Sequence, residues 1–349
     1  MTQILTSYQN HSFESSFHFD AFQVGQYLKK IASQRNIHHI EDTLISVARN
    51  SESGDIETLQ LKQQALACDF VIDASGFSRL LIENELKTPW CDLTDRLVMN
   101  KAIPFHLQHQ LEHPDLVTRS TALSAGWVWQ IPLQQRIGAG YVYNDQFISL
   151  DQALDEVEQW LGHSIDALGV IDFKTGYFEK IWSNNVFSIG LSSGFVEPLE
   201  ATSIGQMLMQ LKLFDILVKE TQGIIAKQHI DFYNQQNAQS WEGIADFIRM
   251  HYDTPRADTE FWKYAQTIPM SEKYQELKMC WQHRSPRNYD FLDHEMDKFS
   301  HFGVFSWFTI GQALGHIGAE VTANELVALS AEEKQKLIPL LSRIKSKLN

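Results

Sequence analysis

The stretch Ile189-Gly190-Leu191-Ser192-Ser193-Gly194-Phe195-Val196-Glu197-Pro198-Leu199-Glu200-Ala201-Thr202-Ser203-Ile204 constrains this chain more than any other. It reads as a strand that turns through two glycines and enters a helix with a carboxylate and two hydroxyl residues at its mouth. Glycine lets the backbone approach a ligand closely, and a helix N-terminus presents unpaired N–H groups at a positive dipole end. That is the build of an anion or cofactor site.

The surrounding pattern predicts the scaffold. Residues 20–33 read as a helix with Ala21, Val24, Tyr27, Leu28 and Ile31 on one side. Residues 37–47 suggest a strand, and the turn Glu52-Ser53-Gly54-Asp55 leads into a second at 56–61, a hairpin. Phe70-Val71-Ile72-Asp73-Ala74-Ser75-Gly76 reads as a buried strand delivering a loop to a ligand. Sheet character runs over 97–143, with Gly126–Pro132 and Ile137–Tyr143 paired across Leu133-Gln134-Gln135-Arg136. Beyond residue 150 the pattern is helical. One helix covers 150–161, and another covers 199–221 with Leu208, Leu211, Phe214 and Leu217 on its buried side. A last helix opens at the capping box Ser330-Ala331-Glu332-Glu333 and turns Leu337, Ile338, Leu341 and Ile344 inward. No linker is evident, so the halves are expected to pack as one body.

Charge and cysteine content exclude several function classes. The formal charge of −14 over 349 residues disfavours nucleic acid, which needs a basic face. No run is long and apolar enough to span a membrane, and no signal core follows the start, so a cytoplasmic location is expected. Cys68, Cys91 and Cys280 are too scattered for a CxxC pair or a disulfide framework. His38-His39 and His106 with His109 lack the partners of a metal site, and none is expected.

Together with Gly126-Trp127-Val128-Trp129-Gln130-Ile131-Pro132, the 189–204 stretch resembles the flavin-dependent tryptophan halogenases. The first segment fits that family's WxWxIP signature, the most specific element. Further likeness lies in Ser16-Phe17-His18-Phe19-Asp20-Ala21 with Tyr27-Leu28, and in 69–77. It continues in Asp246-Phe247-Ile248, His251-Tyr252, Arg256, Phe261-Trp262, Ser306-Trp307 and Gly311-Gln312. The resemblance implies an α/β fold of the FAD/NAD(P)-binding, flavin monooxygenase-like type. An FAD-binding portion would cover 1–205, and a mainly helical substrate region 206–349. It implies FAD, reduced to FADH2 by a separate reductase, with chloride or bromide as co-substrate and an indole-like arene as acceptor. FADH2, oxygen and halide give hypohalous acid, which halogenates the arene. Glu200, the glutamate of the family's PLE motif, would be catalytic, stabilising the cationic arene or acting as base. Thr202 and Ser203 would hold the halide through backbone N–H groups. Asp73, Gly76, Trp127, Trp129, Ile131, Pro132, Gly190, Gly194 and Pro198 would line the cofactor, and Trp307 would face substrate. Taken without the resemblance, Trp127, Trp129 and Ile131 share one strand face and would be core residues. Gly138-Ala139-Gly140 reads as a close backbone approach in the hairpin rather than a phosphate loop.

The chain also departs from the family. No GxGxxG fingerprint lies between Met1 and Asp73, and no lysine matches the family's catalytic one; Lys29, Lys30 and Lys101 sit in the wrong context. Tyr177 and Phe178 stand where the family often has arginines. Ala201 and Ser203 differ from the tryptophan-specific pattern, so the resemblance implies tryptophan or another indole-like arene as the acceptor. The expectation is therefore an N-terminally truncated halogenase with little or no activity by itself, and self-association through its uncovered apolar surface. The alternatives are a related flavin monooxygenase, or a non-catalytic remnant that binds an arene.

Overall fold

The computed structural model describes residues 17–110, 116–294, 301–337 and 339. Helices among them include α1 (Ala21–Gln34), α2 (Leu150–Leu161), α3 (Thr202–Glu220), α4 (Lys227–His251), α5 (Glu260–Ala265), α6 (Glu272–Trp281), α7 (Val304–Ala313) and α8 (Ala319–Ala328), and residues 331–337 are helical as well. Their starts follow from local chemistry. Asp20 caps α1, Ser149 and Gln152 form a capping box on α2, and Ser271 caps α6. The bonds of the Ser330–Glu333 capping box form as the sequence predicts. Leu337 behind it is half-buried, while the expected inward positions Ile338, Leu341 and Ile344 lie outside the described side chains.

Four small sheets carry the β-structure. The largest has the spatial order Ile171–Asp172, Lys101–Leu107, Ile137–Tyr143, Gly126–Pro132, Arg119–Ala122, all antiparallel. The predicted pairing of Gly126–Pro132 with Ile137–Tyr143 is present, in register from Gly126↔Tyr143 to Pro132↔Ile137. Gly140 is needed there: a Cβ would lie 2.0 Å from Cη2 of Trp129, whose ring lies over the strand. The N-terminal hairpin pairs Leu44–Arg49 with Ile56–Leu61, so residues 37–43, expected as part of its first strand, are irregular.

Val71–Asp73 and Val186–Ser188 form a short parallel pair. The region after 150 is not purely helical, because five short strands lie between Ile171 and Phe195. One apolar core runs from Leu93 through the 97–143 sheet to Trp241, Trp281, Trp307 and Ile317, so sheet and helices share an interior across residue 205.

Two amphipathic readings need correction. α1 buries none of its residues and leaves Phe22, Tyr27 and Leu28 exposed. In α3 Leu211, Phe214 and Leu217 are half-buried and pack on the cluster of Trp182 and Phe187 as expected, but Leu208 is 57% exposed and the fully buried positions are Thr202, Gln206, Gln210 and Leu213. The glutamines point inward because each finds partners. Gln206 donates to Asn237 and accepts from Ser240; Gln210 donates to Asn237 and Ser193 and accepts the Gly190 N–H. A buried polar side chain is stable when its hydrogen bonds are made, so this network overrides hydrophobic periodicity.

Candidate active site

The signature stretch folds as the sequence implies, through a turn tighter than a simple loop. After Ile189 the chain makes a single 3₁₀ turn (Gly190–Ser192), a short strand (Gly194–Phe195) and a second 3₁₀ turn (Leu199–Ala201) that runs into α3. Gly190 has φ 60°, which favours glycine. Glu200 and Ala201 also adopt left-handed backbone, with φ 64° and 54°. Two consecutive L-residues there cost roughly 1–2 kcal/mol each, and such strain persists only where the surroundings dictate it.

The surroundings are two residues at the end of α4. His251 places Nε2 3.0 Å from Oε1 of Glu200, while its Nδ1 lies 2.9 Å from the Phe247 carbonyl oxygen. Both ring nitrogens thus face oxygen acceptors, a carbonyl on one side and a carboxylate on the other. Tyr252 donates its hydroxyl to Oε1 of Glu197, and Trp127 donates its indole N–H to the same oxygen at 3.0 Å. Glu197 is fully buried and its Oε2 has no hydrogen-bond partner among the described residues. Burial pushes its carboxyl from 4.5 up to about 7, against the opposing hydrogen bonds of Tyr252 and Trp127 and the field of His251.

Glu197 had no role in the sequence reading. The available signal was a carboxylate inside an apolar run, Phe195-Val196-Glu197-Pro198-Leu199. Its partners are 70 and 55 residues away in sequence.

The mouth of α3 is an uncapped helix start. Ala201 at the N-cap has no side chain that can accept, and the Thr202 hydroxyl is buried without a hydrogen-bond partner among the described residues. Ser203 follows, half-buried. The structure thus brings Glu200, Thr202 and Ser203 to one turn. Gly76 joins the neighbouring 3₁₀ turn, its N–H donating to Ser192 Oγ at 3.1 Å. A Cβ on Gly76 would meet no atom within 4 Å, so that side of the loop is open, while Gly194 is pressed against Tyr177 and Trp241. Trp127 is buried; Trp129, Ile131, Pro132 and Pro198 are half-buried.

Two expected contacts differ. Asp73 is turned into the protein, where it accepts from Ser75 N and Oγ through Oδ1 and from Leu81 N and Ile82 N through Oδ2. It shapes the loop from within. Trp307 is fully buried, stacked on Phe291 and packed on Phe247 and Trp281, with its N–H on the Phe302 carbonyl. It is a core residue rather than one facing a substrate cleft.

No group of His, Cys, Asp or Glu suited to a metal occurs among the described residues, and the three cysteines are free. No helix among them is long and apolar enough to cross a membrane.

The tryptophan halogenase family matches residues 2–327. The chain belongs to that family. It is 33% identical over 331 residues to the uncharacterized protein y4xG of Sinorhizobium fredii, covering 95% of this chain and 65% of that protein. It is 31% identical over 268 residues to tryptophan 7-halogenase RebH of Lentzea aerocolonigenes, covering 75% of this chain and 50% of RebH. Among solved structures, BrvH, a flavin-dependent halogenase from Brevundimonas sp. BAL3, superposes with TM-score 0.78 at 30% identity, over 94% of this chain and 70% of BrvH. Tryptophan 6-halogenase SttH from Streptomyces toxytricini superposes with TM-score 0.83 at 26% identity, over 97% and 69%. The fold is therefore the FAD-binding α/β fold of flavin-dependent halogenases, enzymes that use FADH2 and halide. The chain spans between half and two thirds of the length of these curated relatives.

Proposed function

We propose that this chain supplies the halide and arene side of a flavin-dependent halogenase acting on an indole-like aromatic. The observation that carries the reading is the buried, unpartnered Thr202 hydroxyl at the uncapped start of α3, directly after the strained Glu200-Ala201 pair. A helix N-terminus with an orphan donor suits a halide ion, and the backbone N–H groups at Thr202 and Ser203 supply the rest of its shell.

Glu200 is more than a third exposed at its side chain and is held from behind by His251. A carboxylate so placed stabilises positive charge on an arene ring and accepts the ring proton. The open side of Gly76, together with Gly190 and the strand carrying Trp127, Trp129, Ile131 and Pro132, fits the approach of a flat cofactor. Gly194 and Pro198 keep the connecting turn tight enough for that approach, and Asp73 holds the Gly76 loop in shape. FAD, when bound and reduced by a separate reductase, would activate oxygen, the oxidant that converts chloride or bromide to hypohalous acid. The helices of 206–349 shape the arene side.

The test is to supply FADH2 from a reductase, with oxygen, bromide and a panel of indoles, and to look for brominated product by mass spectrometry. Saturable bromide and indole binding that Thr202→Val and Glu200→Gln respectively weaken supports the reading, and brominated arene lost in Glu200→Gln would add turnover to it. Oxygenated but unbrominated product would favour a monooxygenase, and indole binding without FAD binding would favour a non-catalytic binding protein.

A further inference from the structure

The two signature segments of the chain meet at one buried carboxylate. Trp127 belongs to the strand Gly126–Pro132, and Glu200 to the turn before α3; Glu197 touches the first directly and opens the turn that carries the second. Its Oε1 receives both the Trp127 indole N–H and the Tyr252 hydroxyl, while Oε2 is buried and unpartnered. Because Oε1 already takes two donors, a proton on Glu197 belongs on Oε2.

The adjacent residues His251 and Tyr252 grip the two carboxylates of the same turn, Glu200 and Glu197. The grip spans Glu197 to Glu200, the first of the left-handed pair Glu200-Ala201, and so fixes where the Glu200 carboxylate points. Neither Trp127 nor Tyr252 has slack, being 4% and 2% exposed.

We propose that Glu197 is a positioning residue, a latch that locks the strand bearing Trp127 to the turn bearing Glu200, so that its state is felt at both. The proposal rests on the halogenase reading only for its consequence, which is that the cofactor side and the arene side move as one. The latch itself is a property of this chain alone. When Glu197 ionises, both donors on Oε1 bind more strongly, since hydrogen bonds to charged acceptors are shorter and about twice as strong. The polar groups facing it are the Trp127 N–H from the sheet, and the Tyr252 hydroxyl and His251 ring from α4.

The experiment is nuclear magnetic resonance on the full chain with nitrogen-labelled tryptophan and histidine. Trp127 is identified by the signal lost in Trp127→Phe, and His251 by that lost in His251→Gln. The wild-type Trp127 indole resonance should move as Glu197 titrates near neutral pH, and Glu197→Gln should abolish that movement while keeping the fold. Glu197→Ala should shift both the Trp127 and the His251 ring signals, although His251 does not touch Glu197. A Trp127 resonance that titrates equally in Glu197→Gln, or a His251 signal unmoved by Glu197→Ala, would overturn the latch. Halide titration of the same samples judges the halogenase reading separately, so either idea can fail without the other.

Discussion

Asp73 offers a sharp test of whether the Val71–Asp73 strand end is a ligand contact or an internal brace. Its side chain is 3% exposed and accepts four hydrogen bonds, two on each oxygen. In Asp73→Asn one oxygen becomes an amide that can only donate, so whichever way it flips, at least one backbone N–H faces another donor. If the Oδ2 position is lost, the N–H groups of Leu81 and Ile82 are stranded in residues 4% and 0% exposed. Each unsatisfied buried group costs about 1–3 kcal/mol, so the less costly flip, which strands one backbone N–H, should destabilise the chain by roughly 1–3 kcal/mol. Urea unfolding reads this as a midpoint lowered by up to about 1 M, with slope unchanged, for a slope near 3 kcal/mol per M. Asp73→Ala should cost at least as much. A wild-type midpoint for Asp73→Asn combined with lost FAD binding would refute the brace and restore Asp73 as a cofactor contact.

Further predictions follow from the same geometry. Glu197 has its carboxyl raised from 4.5 to about 7, so its contribution to stability is full below pH 4.5 and is lost as pH rises through 7. The loss, relative to the non-titrating Glu197→Gln, should reach about 3 kcal/mol by pH 8, and a stability difference flat in pH would contradict it. Gly140→Ala forces a Cβ into the Trp129 ring and should lower stability by about 1–3 kcal/mol, measured by the same unfolding assay. The exposed apolar residues of α1 and of the Val71–Asp73 region (Phe22, Tyr27, Leu28, Phe70, Ile72 and Phe77) predict concentration-dependent self-association. Sedimentation should show it, and Phe22→Glu with Leu28→Glu should weaken it; a concentration-independent monomer would count against it.

The elements that read correctly from sequence are those whose determinants are local. Gly126–Pro132 and Ile137–Tyr143 alternate and are joined by a short polar turn, and α2 has a serine cap, a clear stripe and a glycine after its end. The turn at 189–204 was legible because glycines and a helix start stand together in sequence. What was not legible depends on partners far along the chain. Gln206 and Gln210 look like surface positions until Asn237, Ser240 and Ser193 are placed beside them. Glu197 looks like a surface acid until Trp127 and Tyr252 converge on it, and Trp307 gives no sign in sequence that Phe247, Trp281 and Phe291 close over it.

Halide binding at the mouth of α3 is tested without any need for turnover by bromide line broadening in nuclear magnetic resonance. The account predicts saturable broadening by the wild-type chain that iodide or chloride displaces, and that Thr202→Val, which keeps shape but removes the orphan hydroxyl, reduces several-fold. Broadening that never saturates, or that is the same in Thr202→Val, would contradict it.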